Sequence, residues 1–345
     1  MVDEADALVR LVRAYSPSGE EAEAVRVFMA LASSMGFRAE VDAVGNGIAR
    51  IGSGPPLVAF LGHIDTVDGE IPVREEKGVV YGRGTCDAKG ALVAALLAAT
   101  NHAGSGEIVV IAAVGEEADS RGAKHLIPRM KPNAAIVGEP SGWEGVTVGY
   151  KGNVDLQFTF EGERAHLSSP EPTTVELALA SLHRLQAFAA DHQEETHFRS
   201  VTHKVHSIMT GRMGGREVVK VGVNVRIPPD VKVGDVLAFL DRTDMAAKYK
   251  VTDSSNAVEV DRSNDVVRAL VGGIQAEGGQ PTLRKKSGTS DMNLAVPVWR
   301  CPTAAYGPGD AHLDHTDGER LSLEELRVSA RVLRHAFEAL TMSAT

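Results

Sequence analysis

Cysteine is nearly missing from this chain: Cys86 and Cys301 are the only two in 345 residues. They form no Cys-x-x-Cys pair, which excludes a disulfide-stapled scaffold and fits a reducing cytoplasm. Long apolar runs are missing too, and none approaches the length of a membrane span. The opening MVDEADALVRLV has neither a basic n-region nor a long apolar core, so no secretory signal is read there. Dense runs of Lys and Arg are absent and the net charge is -10, which argues against a nucleic-acid partner. No internal repeat and no low-complexity segment occurs. What is present is 43% hydrophobic and 24% charged, the balance of a soluble globular protein with room for one or two domains.

The chain is organised around residues 57–90. Leu57-Val58-Ala59-Phe60-Leu61 is short enough for one buried strand, and Gly62 passes it directly into His63-Ile64-Asp65. In an open α/β sheet, catalytic groups gather beyond the carboxyl ends of strands. Asp87 follows a Gly-rich turn and precedes an apolar helical run, so it stands at a helix N-terminus, which favours a carboxylate. The pattern recurs twice. The strand 108–114 runs through Gly115 into Glu116-Glu117, and the strand 134–137 runs through Gly138 into Glu139. Three such endings at one sheet edge predict a pocket of one His and several carboxylates, a donor set suited to zinc or another divalent ion.

Around this stretch, helices are expected over residues 3–15 and 20–35, with Ser18 as a cap for the second, and over 88–99. Short strands are expected near 38–41 and 47–51. Helices alternating with apolar strands predict an α/β fold with a mixed, mostly parallel sheet sandwiched by helices. After Tyr150 the texture changes. Strands with one wet face are expected at 154–160, 204–209, 218–227 and 256–260, with helices at 174–191 and 233–248 between them. That β-α-β-β-α-β order is ferredoxin-like, an α+β domain inserted in the first. The expected division is a catalytic domain over 1–150, an insert over 151–260 and a return to the catalytic domain over 261–345. The return brings a helix at 265–277, a Gly-rich loop at 287–291, a strand at 304–306 and a final helix at 322–339.

Single motifs carry little alone. A lone His-x-Asp is more often structural than metal-binding, and a Glu pair is usually a solvated face. At a strand end, Asp65 can fix the His63 tautomer, while one of Glu116 and Glu117 ligates metal and the other serves as a general base. Near the end of the chain, Gly-Pro-Gly at 307–309 opens a polar loop that carries both His312 and His315.

Together, GHIDTV, YGRGTCDAKG, GEE, GEP, GERAHLSSP, SGTSD and GPGDAHLDHTDGE span most of the chain. In kind and order they resemble the di-zinc aminoacylase and carboxypeptidase superfamily, which includes acetylornithine deacetylase and succinyl-diaminopimelate desuccinylase. The resemblance implies a zinc-exopeptidase-like fold whose insert is a lid and dimerisation domain, and a homodimer. It implies two divalent ions, zinc or cobalt. Their ligands would be His63 and Glu139 on one, Glu117 and His315 on the other, and Asp87 bridging both. It implies Glu116 as the base toward a bridging water, Asp65 as the group orienting His63, and His166 as the oxyanion donor, often from a partner subunit. His315 is preferred to His312 because the family's last ligand lies four residues before a glutamate, here Glu319. Arg226 with Ser287, Gly288, Thr289 and Ser290 would bind a substrate carboxylate, and Asp291 could meet a cationic amine or be structural.

Glu139, where the family's aminopeptidases tend to have Asp, leans toward deacylase or carboxypeptidase chemistry. The opening SPSGEEAEAV and the following VDAVGNGIARIGSG look most like hydrolases of lysine and arginine biosynthesis that release lysine or ornithine from an amino-group carrier protein. The alternatives are an N-acetylornithine deacetylase or another N-acyl amino-acid deacylase, a carboxypeptidase, and a scaffold that kept the fold without catalysis.

Overall fold

The computed structural model describes residues 3–102, 104–163, 166 and 168–342. They divide into two compact units. One comprises residues up to Val148, Val260–Arg284 and the chain from Ser290 onward; the other comprises Gly149–Glu259 and Lys285–Thr289.

The first unit begins with α1 (Glu4–Arg13), capped by Asp3, whose carboxylate accepts the Ala5 and Asp6 N–H groups. Its buried stripe is Ala7, Leu8, Leu11 and Val12. Next comes α2 (Ala22–Ser34), which has no side-chain cap. Ser18 does not cap it; its hydroxyl donates instead to Asp65 Oδ2 at 2.6 Å. Strands β1 (Arg38–Val41), β2 (Gly47–Ser53), β3 (Leu57–His63), β4 (Arg74–Glu76) and β5 (Val79–Tyr81) follow. Then come α3 (Lys89–Ala99), β6 (Gly106–Ala113), α4 (Arg121–Leu126), β7 (Ala134–Gly138) and β8 (Gly145–Tyr150).

The main sheet runs β1-β2-β6-β3-β7, then a late strand described below, then β8. β3 lies parallel to both β6 and β7, with His63 opposite Ala113 and Gly62 opposite Gly138. The carboxyl ends of the three strands are therefore level, as the three Gly-terminated runs predict. Helix α3 is buried on almost every side, which its small residues allow. Close packing at the strand ends depends on glycine: a Cβ on Gly138 would lie 2.6 Å from the Phe60 ring.

The second unit carries β9 (Gly152–Gly162), α5 (Thr174–Asp191), β10 (Thr202–Met213), β11 (Arg216–Ile227), α6 (Val233–Arg242), β12 (Lys248–Ser255) and β13 (Val258–Glu259). Its antiparallel sheet has the order β10-β11-β9-β12. Both helices pack on one apolar cluster that includes Phe158, Leu185, Val223 and Leu240. Helix α5 is closed by a capping box of Thr173 and Glu176. The helix expected to reach 248 ends at Arg242, and the strand expected over 256–260 is mostly replaced by β12. In β12 polar and charged residues leave only Tyr249 and Val251 against the core, so its alternation is faint.

Back in the first unit, α7 (Asp265–Ala276) is capped by Asn264. Strand β14 (Thr282–Lys286), α8 (Met292–Trp299), β15 (Thr303–Ala305), β16 (Arg320–Ser322) and α9 (Leu323–Met342) complete the chain. β15 is the late strand of the main sheet, parallel to β7. β16 pairs with β5, and β5 with β4, in a small separate sheet.

Candidate metal centre

Every residue expected to hold or serve a metal, His166 apart, lies in the first unit. Those on β3, β6 and β7 follow directly from the strand ends. His63 closes β3 and is buried; its Nδ1 lies 3.0 Å from the backbone oxygen of Asp65 and its Nε2 lies 3.1 Å from Asp87 Oδ1. The Asp65 carboxylate stays 3.6 Å from that ring, beyond a hydrogen bond, so its carbonyl and not its carboxylate contacts Nδ1. The carboxylate has another use. Oδ1 accepts the Glu116 N–H and Oδ2 the Glu117 N–H, each at 3.0 Å. Asp65 thus fixes the backbone of both glutamates, which the sequence does not reveal.

Asp87 stands just ahead of α3, and its two oxygens face two different histidines. Oδ1 meets His63, and Oδ2 lies 3.3 Å from His315 Nε2. The same His315 nitrogen lies 3.0 Å from Glu117 Oε1. His312 is 92% exposed and pairs with Asp310 instead. Among the described residues two triads have donor atoms mutually within 4.8 Å: His63 with Glu116 and Glu117, and Asp87 with Glu117 and His315. Glu139, buried just beyond β7, belongs to neither triad; its carbonyl runs so close to Gly307 that a side chain there would collide with it at 2.9 Å.

The electrostatics are those of crowded acids around two imidazoles. Burial opposes ionisation of Asp87, yet hydrogen bonds from His315 and His63 hold its carboxyl well below the usual range. His315 is pushed up to about 10 by Asp87 and Glu117. Glu116 is pushed well above an ordinary carboxyl, first by burial and then, against the pull of His63, by the charges of Glu139, Asp291 and Glu117. Asp291 is 2% exposed with Oδ1 unpartnered, and burial raises it to about 7. Imidazole and carboxylate donors gathered at this spacing suit zinc and other borderline divalent ions, and a cation would relieve the repulsion among the acids.

A sequence profile described as peptidase family M20/M25/M40 matches residues 59–339. The chain belongs to this family. It is therefore a metal-centred hydrolase acting on C–N amide bonds. Over 94% of its length it is 36% identical to a LysW-lysine hydrolase of Deinococcus radiodurans, of which the match covers 93%. It is 38% identical, over 96% of its length and 91% of the relative's, to a Thermococcus kodakarensis protein assigned as a LysW-lysine/LysW-ornithine hydrolase. Its fold is that of a Staphylococcus aureus tripeptidase structure, with TM-score 0.81 and 18% identity over 99% of each chain.

The expected substrate residues lie partly in the second unit. There Arg226 Nη1 donates to Thr289 Oγ1 at 3.1 Å, Ser287 Oγ lies 2.9 Å from His197 Nδ1, and the space around Gly288 is open. Ser290 belongs to the first unit, where its Oγ accepts the Met292 N–H at the start of α8. His166 is exposed and lies 2.7 Å from Ser168 Oγ; its neighbours Arg164, Ala165 and Leu167 fall outside the described residues.

Sequence reasoning passed over three buried residues beside the centre. Lys89 donates to the Ala14 carbonyl at 2.7 Å, and burial lowers it to about 7. Arg83 and Glu319 pair at 3.0 Å. Arg83 between two glycines and Lys89 at the start of α3 give no local hint of burial; only the spacing from His315 singled out Glu319, and only as a marker.

Proposed function

We propose that this chain releases lysine or ornithine from the C-terminal γ-glutamyl group of the amino-group carrier protein LysW, in lysine and arginine biosynthesis. The observation that carries this reading is likeness to LysW-lysine hydrolases along almost the whole of both chains, and the clustering of His63, Asp87, Glu117 and His315 supports it.

In this reading His63, Asp87 and Glu139 hold one ion, and Asp87, Glu117 and His315 the other. The two faces of Asp87, each turned to a different histidine, support its bridging role. Two divalent cations, zinc or cobalt, would polarise the scissile carbonyl and acidify a water. Glu116 takes the proton of the attacking water and delivers it to the departing amine; its raised affinity for protons suits that exchange. Asp65 keeps Glu116 and Glu117 in place through their amides. His166 donates to the developing oxyanion. Arg226, with Ser287, Gly288, Thr289 and Ser290, receives the free α-carboxylate of the amino acid.

The second unit serves as lid and dimerisation domain, and the protein acts as a homodimer in the cytoplasm. The homodimer is supported by β10, a long edge strand that exposes Val205, Ile208, Met209 and Met213. Among the described residues no helix is long and apolar enough to cross a membrane.

The test compares amine release from lysine conjugated to LysW with release from free Nα-acetyl-ornithine, using zinc- or cobalt-loaded protein and Glu116→Gln as the blank. Preference for the conjugate by at least about tenfold in kcat/KM, worth about 1.4 kcal/mol, is expected. Preference for the acetylated amino acid would move the enzyme to the ordinary deacetylases.

A further inference from the structure

Two side chains outside the proposed ligand set tie together the segments that carry Asp87 and His315. Glu319 is 1% exposed and lies just ahead of β16. Its Oε1 accepts the backbone N–H groups of Gly84, Cys86 and Asp87 at 2.9, 3.0 and 3.2 Å. Its Oε2 accepts Arg83 Nη1 at 3.0 Å. Arg83 is also buried, and it donates to the Thr316 carbonyl at 2.9 Å and to the Gly69 carbonyl at 3.0 Å.

Turns whose amides converge on an anion ordinarily cradle a bound ligand. Here the anion is the protein's own, and the turn it organises is the one ending in Asp87. One of the three amides belongs to Asp87 itself, so the backbone of that residue is fixed a few bonds from its carboxylate. On the other side, Thr316 follows His315, whose φ of 61° lies in the left-handed region. A non-glycine residue holds that conformation only where its surroundings impose it, and the bond from Arg83 to Thr316 is one such constraint. The other contacts of His315, to Asp87 and Glu117, are with groups that a metal would claim.

We propose that Glu319 and Arg83 form a positioning clamp that sets Asp87 and His315 in register for metal capture, before any ion arrives. The inference rests on the reading of Asp87 and His315 as ligands. A clamp of this kind raises affinity because the ligands need not be ordered when the ion binds. It works at one remove, since neither side chain need touch the metal. Glu319→Gln keeps the size of the group but weakens its acceptance of three amides and leaves Arg83 with a neutral partner. Arg83→Lys keeps the charge but cannot serve Glu319, Thr316 and Gly69 with the same fork of donors.

The test measures zinc affinity by competition with a chromophoric chelator, for the full-length protein, Glu319→Gln, Arg83→Lys and Asp87→Asn. Thermal unfolding of the chelator-stripped proteins is followed in parallel. Both clamp variants are expected to bind zinc about 10- to 100-fold more weakly, the usual loss when a ligand's supporting partner is removed, while the stripped proteins melt close to the parent. Parent-like affinity in both clamp variants, with affinity lost in Asp87→Asn, overturns the clamp and leaves the ligand assignment standing. Parent-like affinity in Asp87→Asn overturns the ligand assignment instead. A stripped Glu319→Gln that melts far below the parent overturns the clamp in favour of a purely structural role, unless Arg83→Lys melts normally and still loses zinc. Should Glu319→Gln fail to fold, Arg83→Lys decides alone.

Discussion

Asp291 is the residue whose burial is hardest to reconcile with charge. Burial is the largest influence on it, and Asp65 adds to the rise; His63, Ser120 and Lys124 pull the other way without cancelling it. Its folded-state value of about 7 lies above that of an unfolded chain, about 3.9. The folded state therefore binds more protons than the unfolded state between those values, and stability falls as pH rises through that window. Asparagine at this position carries no charge to bury. Chelator-stripped Asp291→Asn should melt like the parent near pH 4 and progressively above it toward pH 8. Parallel melting curves at every pH would refute the assignment. The residues at strand ends were legible in the sequence because a Gly followed by His, Asp or Glu after an apolar run is a local pattern. Glu319 and Arg83 were not, since three of the Glu319 partners are backbone amides more than 230 positions away. The work of Asp65 was hidden for the same reason: its carboxylate serves Glu116 and Glu117, some fifty positions away in the turn beyond β6.

At the level of elements, the centre depends on three parallel strands ending at one height. Gly138 is where that alignment is most exposed to damage. The Phe60 ring and the Gly62 Cα occupy the space a methyl group would enter, at 2.6 and 3.2 Å. Gly138→Ala should cost about 1–3 kcal/mol, the usual range for an overpacked core, read as a lower denaturant midpoint. It should also lower turnover, because Glu139 is the next residue. A midpoint unchanged from the parent would mean the ring moves aside freely. The sequence made β3, β6 and β7 plain because buried parallel strands read as unbroken apolar runs. It hid β12 and α8 for opposite reasons. β12 has only one weakly apolar face, and α8 contains Pro297, which ordinarily argues against a helix.

For the whole molecule, the exposed apolar residues of β10 have the chemistry of an interface, and α5 adds exposed Val175 and Leu179 to the same unit. If two copies pair there, sedimentation equilibrium should give a dimer. The double substitution Ile208→Asp with Met209→Asp should then shift it to a monomer with the metal centre still loaded. A parent protein that sediments as a monomer at micromolar concentration would dispose of the dimer. The ferredoxin-like order of the second unit was readable from alternation. Its fourth strand, and the small segment it gains from far along the chain, were not.

That segment, Lys285–Thr289, changes what the second unit is as a hereditary and engineering module. The unit is not one cassette but two, of very unequal length, separated by residues 260–284 of the other unit. Arg226 and His197 are encoded in the long piece, while their partners Thr289 and Ser287 are encoded in the short one. A second unit transplanted from a relative by cutting only at 148 and 260 would arrive without its own Ser287 and Thr289 and would meet those of the host. Recombination that keeps the pairs Arg226–Thr289 and His197–Ser287 intact must therefore carry both pieces together.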